Sequence, residues 1–155
     1  MPSRREQISM SPDEIRAYLG GTRKAVLVSN GLNGFPHPMP MNYVFRDDAI
    51  LMTTFRKSQK VLNLQRDPRC TVLVETGERY TDLKSVLAYA NAEIIDDLAY
   101  TQGVIMQVSG GEPGATAGAP ALRASAEATA PKRVVLRFAP EKYVSWDHSK
   151  LQGRY

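Results

Sequence analysis

Hydrophobic positions along the chain fall mostly in short runs of period two, bounded by glycine, proline and aspartate clusters, the pattern of strands rather than helices. Residues 24–30 (KAVLVSN) read as a strand, and Gly31-Leu32-Asn33-Gly34 as the turn after it. Residues 36–46 continue extended, Asp47-Asp48 turn the chain, and 49–55 (AILMTTF) run back. This strand–turn–strand spacing predicts antiparallel hairpins. Further strands are expected over 69–75 (RCTVLVE), within 84–96 (KSVLAYANAEIID) and over 132–138, with more β-like sequence at 143–146. Six short strands with few helices predict a mainly β fold, a small antiparallel barrel in a single domain over 1–155.

Helical signals are fewer. Ser11-Pro12-Asp13-Glu14 is a capping box, in which the serine hydroxyl accepts from the third helical N–H and Glu14 reaches back. That helix should stop at Gly20-Gly21, with Ile15, Tyr18 and Leu19 as its apolar stripe. A second helix is expected over 57–66, with Val61 and Leu64 on one face and Asp67-Pro68 as its stop; a third, interrupted by Gly103, spans 97–108. Residues 109–131 are rich in alanine, glycine and proline and hold no aromatic residue. Burial there offsets little of the ordering entropy, so the expectation is a flexible excursion without chemistry.

Composition narrows the function. At 155 residues and 43% hydrophobic content, a core can be buried without disulfide or metal staples. Cys70 is the only cysteine, so no internal disulfide forms and a reducing, cytoplasmic setting is the simplest expectation. No run approaches the roughly 18 apolar residues of a membrane span, and the charged MPSRREQISM start lacks the apolar stretch of a secretory signal. His37, His148 and one cysteine are too few for a structural zinc site. A net charge of +4 suits an anionic small ligand without demanding one. The basic residues are scattered without an aromatic ladder, which disfavours nucleic acid. Neither Gly-x-x-x-x-Gly-Lys nor Gly-x-Gly-x-x-Gly occurs, which excludes a P-loop and a Rossmann site. A Cys70–His148–Asp147 hydrolase carries little weight, because Cys70 sits in an apolar strand and adjacent residues of an extended segment point to opposite faces.

Two stretches carry candidate chemistry. Prolines at 36, 38 and 40 remove alternate backbone donors, so one edge of that strand has none and pairs poorly. Such an edge either guards against aggregation or faces a flat ligand or a partner subunit, with Met39 and Met41 as polarisable contacts. At 53–60 (TTFRKSQK) a strand ends in two hydroxyls beside a helix start near Ser58. A helix N-terminus favours an anion, and Thr53, Thr54 and Ser58 with the charge of Lys60 make a phosphate site; the alternative is that Ser58 merely caps the helix. Trp146, the only tryptophan, is either a core or interface plug or a stacking platform.

The order of these features resembles the pyridoxamine 5'-phosphate oxidase-like flavin and deazaflavin oxidoreductases. It runs through HPMPMNYVF, ILMTTFRKSQKVLNLQRDPRCTVLVE, AEIIDD and YVSWDHSKL, and is most specific in Ser-x-Lys-x-x-Asn-Leu-x-Arg-Asp-Pro-Arg at 58–69. The resemblance implies a six-stranded antiparallel split barrel of the FMN-binding type, and a homodimer with the cofactor at its interface. It also implies hydride transfer between that cofactor, FMN or the 5-deazaflavin coenzyme, and a small organic substrate. It assigns Thr53 and Thr54 to the phosphate or ribityl chain, and Ser58 and Lys60 to the phosphate. Pro40, Met41 and Asn42 run along the isoalloxazine ring, and Trp146 approaches it from the other subunit. Gln59 stands in the same motif where the oxidases proper carry arginine, which argues against a vitamin B6 substrate. Arg56, Lys57 and the Arg4-Arg5 arm are the cations available to the acidic tail of a deazaflavin. Tyr43 and His37 are potential proton donors with simpler roles in packing and loop structure. The alternative function is a non-catalytic flavin- or haem-binding split barrel, with His37 and His148 as the histidine choices for an axial ligand.

Overall fold

The strands join one continuous hydrogen-bonded sheet of eight, not six, in the computed structural model, which describes residues 1–110 and 120–154. Helices α1 (Arg4–Ile8) and α2 (Pro12–Gly21) precede β1 (Lys24–Asn30), β2 (Pro36–Asn42), β3 (Val44–Arg46) and β4 (Ala49–Phe55). Then come α3 (Gln59–Arg66), β5 (Arg69–Thr76), β6 (Lys84–Ile95), α4 (Leu98–Ser109), α5 (Pro120–Thr129), β7 (Arg133–Phe138) and β8 (Lys142–Asp147). The sheet order is β2-β1-β5-β6-β7-β4-β3, with β8 also on β6, and all its pairings are antiparallel.

The two additional strands arise where long extended segments change partner. Over 36–46 the chain leaves β1, with Asn42 opposite Lys24, and joins β4, with Val44 opposite Leu51. The residue between, Tyr43, is 1% exposed, and its hydroxyl donates to the Leu19 carbonyl at 2.9 Å and pairs with the Thr22 hydroxyl. Burial pushes the Tyr43 phenol up to about 12. It is a packing post under α2, as the simpler expectation had it.

The second change of partner is at the C-terminus. Phe138 lies opposite Ala92 and Lys142 opposite Tyr89, so four steps on one strand match three on the other. The extra residue is a bulge within Ala139-Pro140-Glu141, where Pro140 has no N–H to give. One edge of β6 thus bonds β7 over 92–95 and β8 over 84–89, while its other edge bonds β5 over 84–91.

Alternate residues fill the barrel: Ala25 and Leu27 of β1, Val72 and Val74 of β5, Val86 and Ala88 of β6, and Leu136 and Phe138 of β7. Strand β4 is buried on both faces, with Ile50 and Met52 in the barrel and Ala49 and Leu51 against Val104 of α4 and Val135 of β7. That double burial explains its continuous apolar run. The capping box at Ser11 and Glu14 forms as expected, and a second one at Ser3 and Glu6 starts α1. Lys150 ties these helices to the C-terminus through the Ser9 carbonyl and Glu14, both at 2.8 Å.

The expected excursion over 109–131 is corrected in part. Residues 120–129 form α5, whose Ala126 packs with Ala130 against Ile105 of α4. Small side chains let two helices approach closely, a contribution that aromatic content does not register. The stretch 111–119 of that expectation lies outside the described residues. Cys70 is buried, its thiol directed at the Ala90 carbonyl at 3.5 Å, and burial pushes it up to about 12. His148 pairs through Nδ1 with the Tyr80 carbonyl, and Asp147 is held by Ser149 and Lys84, so no hydrolase grouping forms. Among the described residues, no helix is long and apolar enough to cross a membrane.

Two outcomes follow for stability. Tyr43→Phe removes a buried hydrogen bond and should cost about 1 kcal/mol, lowering the urea midpoint at unchanged m. For Asp147, burial favours the neutral acid, but the bonds from Ser149 and Lys84 outweigh it and hold the carboxyl below its ordinary range. Its contribution is therefore complete above the unfolded aspartate pKa and is lost as pH falls through the lower folded value. Asp147→Asn should flatten that part of the acid limb, and an unaltered limb would contradict a carboxylate held by Ser149 and Lys84.

Candidate functional site

Strand β2 meets the rest of the sheet on one side only. Its pairing with β1 sets Pro36, Pro38 and Pro40 opposite Asn30, Val28 and Val26, so the bonding amides are those of His37, Met39 and Met41. The outer edge therefore offers the proline carbonyls and, from Asn42, a single N–H. Strand β4 pairs with β3 only as far as Leu51, which leaves its end from Met52 to Phe55 open on the same side. The parting of β2 from β4 at Tyr43 thus opens a cleft.

A cavity of about 320 Å³ occupies this region, lined on the strands by Pro40, Met41, Asn42, Thr53 and Arg133. Its remaining wall comes from Ile105, Val108 and Ser109 of α4 and Ser125 and Thr129 of α5. The segment expected to carry no chemistry therefore contributes to the wall. Ile105, Val108 and Met41 make an apolar surface, and Asn42, Thr53, Ser125 and Arg133 supply polar groups beside it.

Thr53 and Thr54 point to opposite faces of β4, as the strand period requires. Thr53 lines the cavity, whereas Thr54 is buried, accepts from Lys60 Nζ at 3.1 Å and lies 3.4 Å from the Ser58 hydroxyl. Ser58 occupies the N-cap of α3 yet makes no side-chain cap bond, so the simple capping role does not hold. The first-turn N–H groups are left without the cap that usually satisfies them. Burial, and then the charge of Arg133, lower the pKa of Lys60.

Arg133, which the sequence motifs do not single out, lies across from Phe55 and holds its guanidinium 4.4 Å from that ring's centroid. Its Nε is buried without a hydrogen-bond partner. Only the β4–β7 register reveals it, because it stands 73 positions beyond Lys60 in a run with no motif.

Other predicted residues lie elsewhere in the chain. Gln59 donates to Asn63 at 2.8 Å, and Asn63 donates to Ser29 at 3.1 Å, a chain that docks α3 on β1. Gln59 faces a separate hollow with Phe35 and His37, where His37 Nδ1 is buried and unpartnered. Trp146 lines a third hollow with Arg5 and Ile8 of α1. Arg56 is engaged by both oxygens of Asp96, at 2.6 and 2.9 Å, and by the Pro131 carbonyl. Of the nine predicted residues, four thus share the cavity, Thr54, Ser58 and Lys60 form the corner beside it, and Gln59 and Trp146 stand apart within one chain.

Residues 11–147 match the family model of pyridoxamine 5'-phosphate oxidase. The chain belongs to that family. Its barrel resembles the crystal structure of a conserved hypothetical protein from Mycobacterium tuberculosis, with a TM-score of 0.88 at 32% identity, over 99% of this chain and 95% of that one. It shares its fold with an FAD-binding protein from Mesorhizobium loti (TM-score 0.65, 20% identity, 88% and 94% covered). The same holds for a heme storage protein from Vibrio cholerae (0.64, 15%, 89% and 97%). No curated protein matches the chain. The split barrel expected for the family is therefore the fold, with the strand count raised to eight.

The proximity of Arg133 and Lys60 has a measurable consequence. Arg133→Gln removes the smaller of the two causes that depress Lys60, so the Lys60 pKa should rise but stay below that of a free lysine. An NMR titration of the Lys60 amine reads this directly, and an unmoved value would contradict the proximity.

Proposed function

We propose that the protein binds FMN in the cleft between β2 and β4 and uses it as an oxidoreductase on a small organic substrate. The observation that carries this reading is the junction of two features: a cavity with an apolar wall at Met41, Ile105 and Val108, bordered by a strand edge nearly free of donors, and a corner of hydroxyls and unneutralised cations beside it. A flat heteroaromatic ring suits the first and a phosphate the second. Met41, Ile105 and Val108 would pack on the ring, while the Pro40 carbonyl and Asn42 amide would meet its polar edge. Thr54, Ser58, Lys60 and the uncapped start of α3 would hold the phosphate.

Bound FMN would supply two-electron transfer to or from the substrate, and the chain's role is to orient the ring and exclude water. No side chain is required as nucleophile. A homodimer completes the site in this reading, with the partner's Trp146 covering the ring, in line with its distance from the cavity within one chain. FMN is favoured over the deazaflavin coenzyme because it needs fewer cations, and Arg56, one of those available to an acidic tail, is paired with Asp96. A haem-binding reading draws on the fold shared with a heme storage protein and on the unpartnered His37, which faces a different hollow.

Parallel titrations with FMN, the deazaflavin coenzyme and haem, followed by absorbance, test these readings. The expected result is tight FMN binding that Lys60→Ala weakens by about 1.5–3 kcal/mol, tenfold or more. Preference for the deazaflavin or a haem Soret band would replace the FMN reading, and unchanged affinity in the variant would break the phosphate assignment.

A further inference from the structure

We propose that Arg56 is a positioning residue of the cleft. It clasps both ends of the helical insertion between β6 and β7, holds α5 in place as a wall of the cavity, and so sets how readily a ligand enters and leaves. The proposal takes its ligand from the flavin reading above, whereas the clasp stands on the geometry of the chain alone.

Pairing of β6 with β7 stops at Ile95 opposite Val135. Past that pair the chain departs into α4 and returns from α5. Arg56, the first residue after β4, spans the gap left between the two strands. Its amide donates to the Lys132 carbonyl at 2.9 Å, which continues the β4–β7 ladder one step beyond Phe55 and Arg133. Its side chain then reaches both sides of the neck. On the returning side, Nη1 donates to the Pro131 carbonyl at 2.9 Å. On the departing side, Nε and Nη2 donate to the two carboxylate oxygens of Asp96 at 2.9 and 2.6 Å. One guanidinium thus stands in for the missing rungs between β6 and β7. Its planar fork of donors suits that task, whereas a lysine offers a single point charge.

What the clasp holds is lightly packed. Helix α4 is anchored on the barrel by Val104 against Ala49, Leu51 and Val135. The apolar cluster at α5 is Ala126 with Ala130 against Ile105 and Met106 of α4. Short side chains bury little apolar area and add little to hold a helix down. Yet α5 brings Ser125 and Thr129 to the wall of the cavity that Pro40, Met41 and Asn42 border. The place of that wall therefore depends on its neck. The Arg56 and Asp96 side chains are 41% and 57% exposed, so water competes for the pair and the clasp can open while the barrel stays folded.

Native-state amide hydrogen exchange on the full chain reads the clasp without any ligand. Arg56→Gln should lower protection of the α5 amides about fivefold and leave those of β5 and β6 unchanged. Arg56→Lys, which keeps the charge but not the fork, should fall between. Asp96→Asn, which spares the Pro131 bond, should shift α5 the same way by a smaller factor, and it serves if Arg56→Gln folds poorly. Stopped-flow FMN binding, followed by flavin fluorescence, adds a readout that a merely structural role would not move. It uses the double variant of Arg56→Gln with Asp96→Asn, which keeps the net charge of the wild type. Easier opening acts on the empty and the filled site alike. Association and dissociation should therefore both quicken about fivefold, with affinity held within about twofold. Three results overturn the proposal. One is α5 protection equal to wild type in Arg56→Gln, or in Asp96→Asn where the first does not fold. Another is protection lost uniformly from α5, β5 and β6. The third is faster dissociation without faster association, the mark of a lost ligand contact. FMN that fails to bind the wild type removes the flavin reading; selective loss of α5 protection then still upholds the clasp, and its absence overturns it.

Discussion

Strand β6, twelve residues long, is paired on one edge with β5 over 84–91 and on the other with β8 over 84–89 and then β7 over 92–95. Both halves of the barrel hang on its register. A slip of one residue would turn Val86, Ala88 and Ala90 out of the core and bring in Leu87, Tyr89 and Asn91, the last two exposed. The single extra residue near Pro140 lets the partner strand change direction without such a slip, since a bulge bends and twists the strand that carries it. Before the bulge, β7 pairs with β6 on one edge and with β4 on the other, and that register sets Arg133 against Phe55.

The same division of the sheet creates the cleft. Strands β2 and β3 are one extended segment serving two neighbours, and a segment that changes partner must leave an unpaired edge on each side of the change. Exposed edges invite pairing with other chains. Prolines protect β2 here, and α4 covers the outer face of β4 through Val104 against Ala49 and Leu51. In the proposed function, a device against aggregation and a place for a flat ligand are one piece of structure. The carbonyls left on the proline edge have no donors of their own beside them until Asn42.

Charge is distributed unevenly around this cleft. The ion pairs Arg56–Asp96 and Arg137–Glu93 neutralise the nearby outer surface of the sheet. Among the described residues, no carboxylate pairs with Lys60 or Arg133, and Lys60 is bonded to the neutral Thr54 hydroxyl. In the proposed function that arrangement would favour an anion, which would exchange desolvation for charge-assisted bonds.

Much was legible from local pattern. Period two identified the strands, Ser-x-x-Glu located the start of α2, and three alternating prolines marked β2 as an edge. The hydroxyl-rich strand end beside Lys60 gave four of the residues that the fold gathers in or beside the cleft, the proline-rich strand gave three, and even the opposite facing of Thr53 and Thr54 was implicit in the strand period. These are properties of neighbours in sequence, set by backbone sterics and hydrogen-bond inventory. What only the tertiary structure decided were relations between distant segments. The extended pattern runs straight through Tyr43 and through Pro140, so nothing local announces the change of partner at either. Alanines at 126 and 130 look weakly apolar until α4 lies against them. Gln59 sits in the motif, yet its side chain turns to Asn63, because the buried Ser29 beneath α3 draws that amide chain together. Arg133 is one basic residue among twenty until pairing of β4 with β7 leaves it stacked, half-covered and without a counter-charge. Local sequence determined which groups the chain could offer, and long-range pairing decided which of them remained unsatisfied.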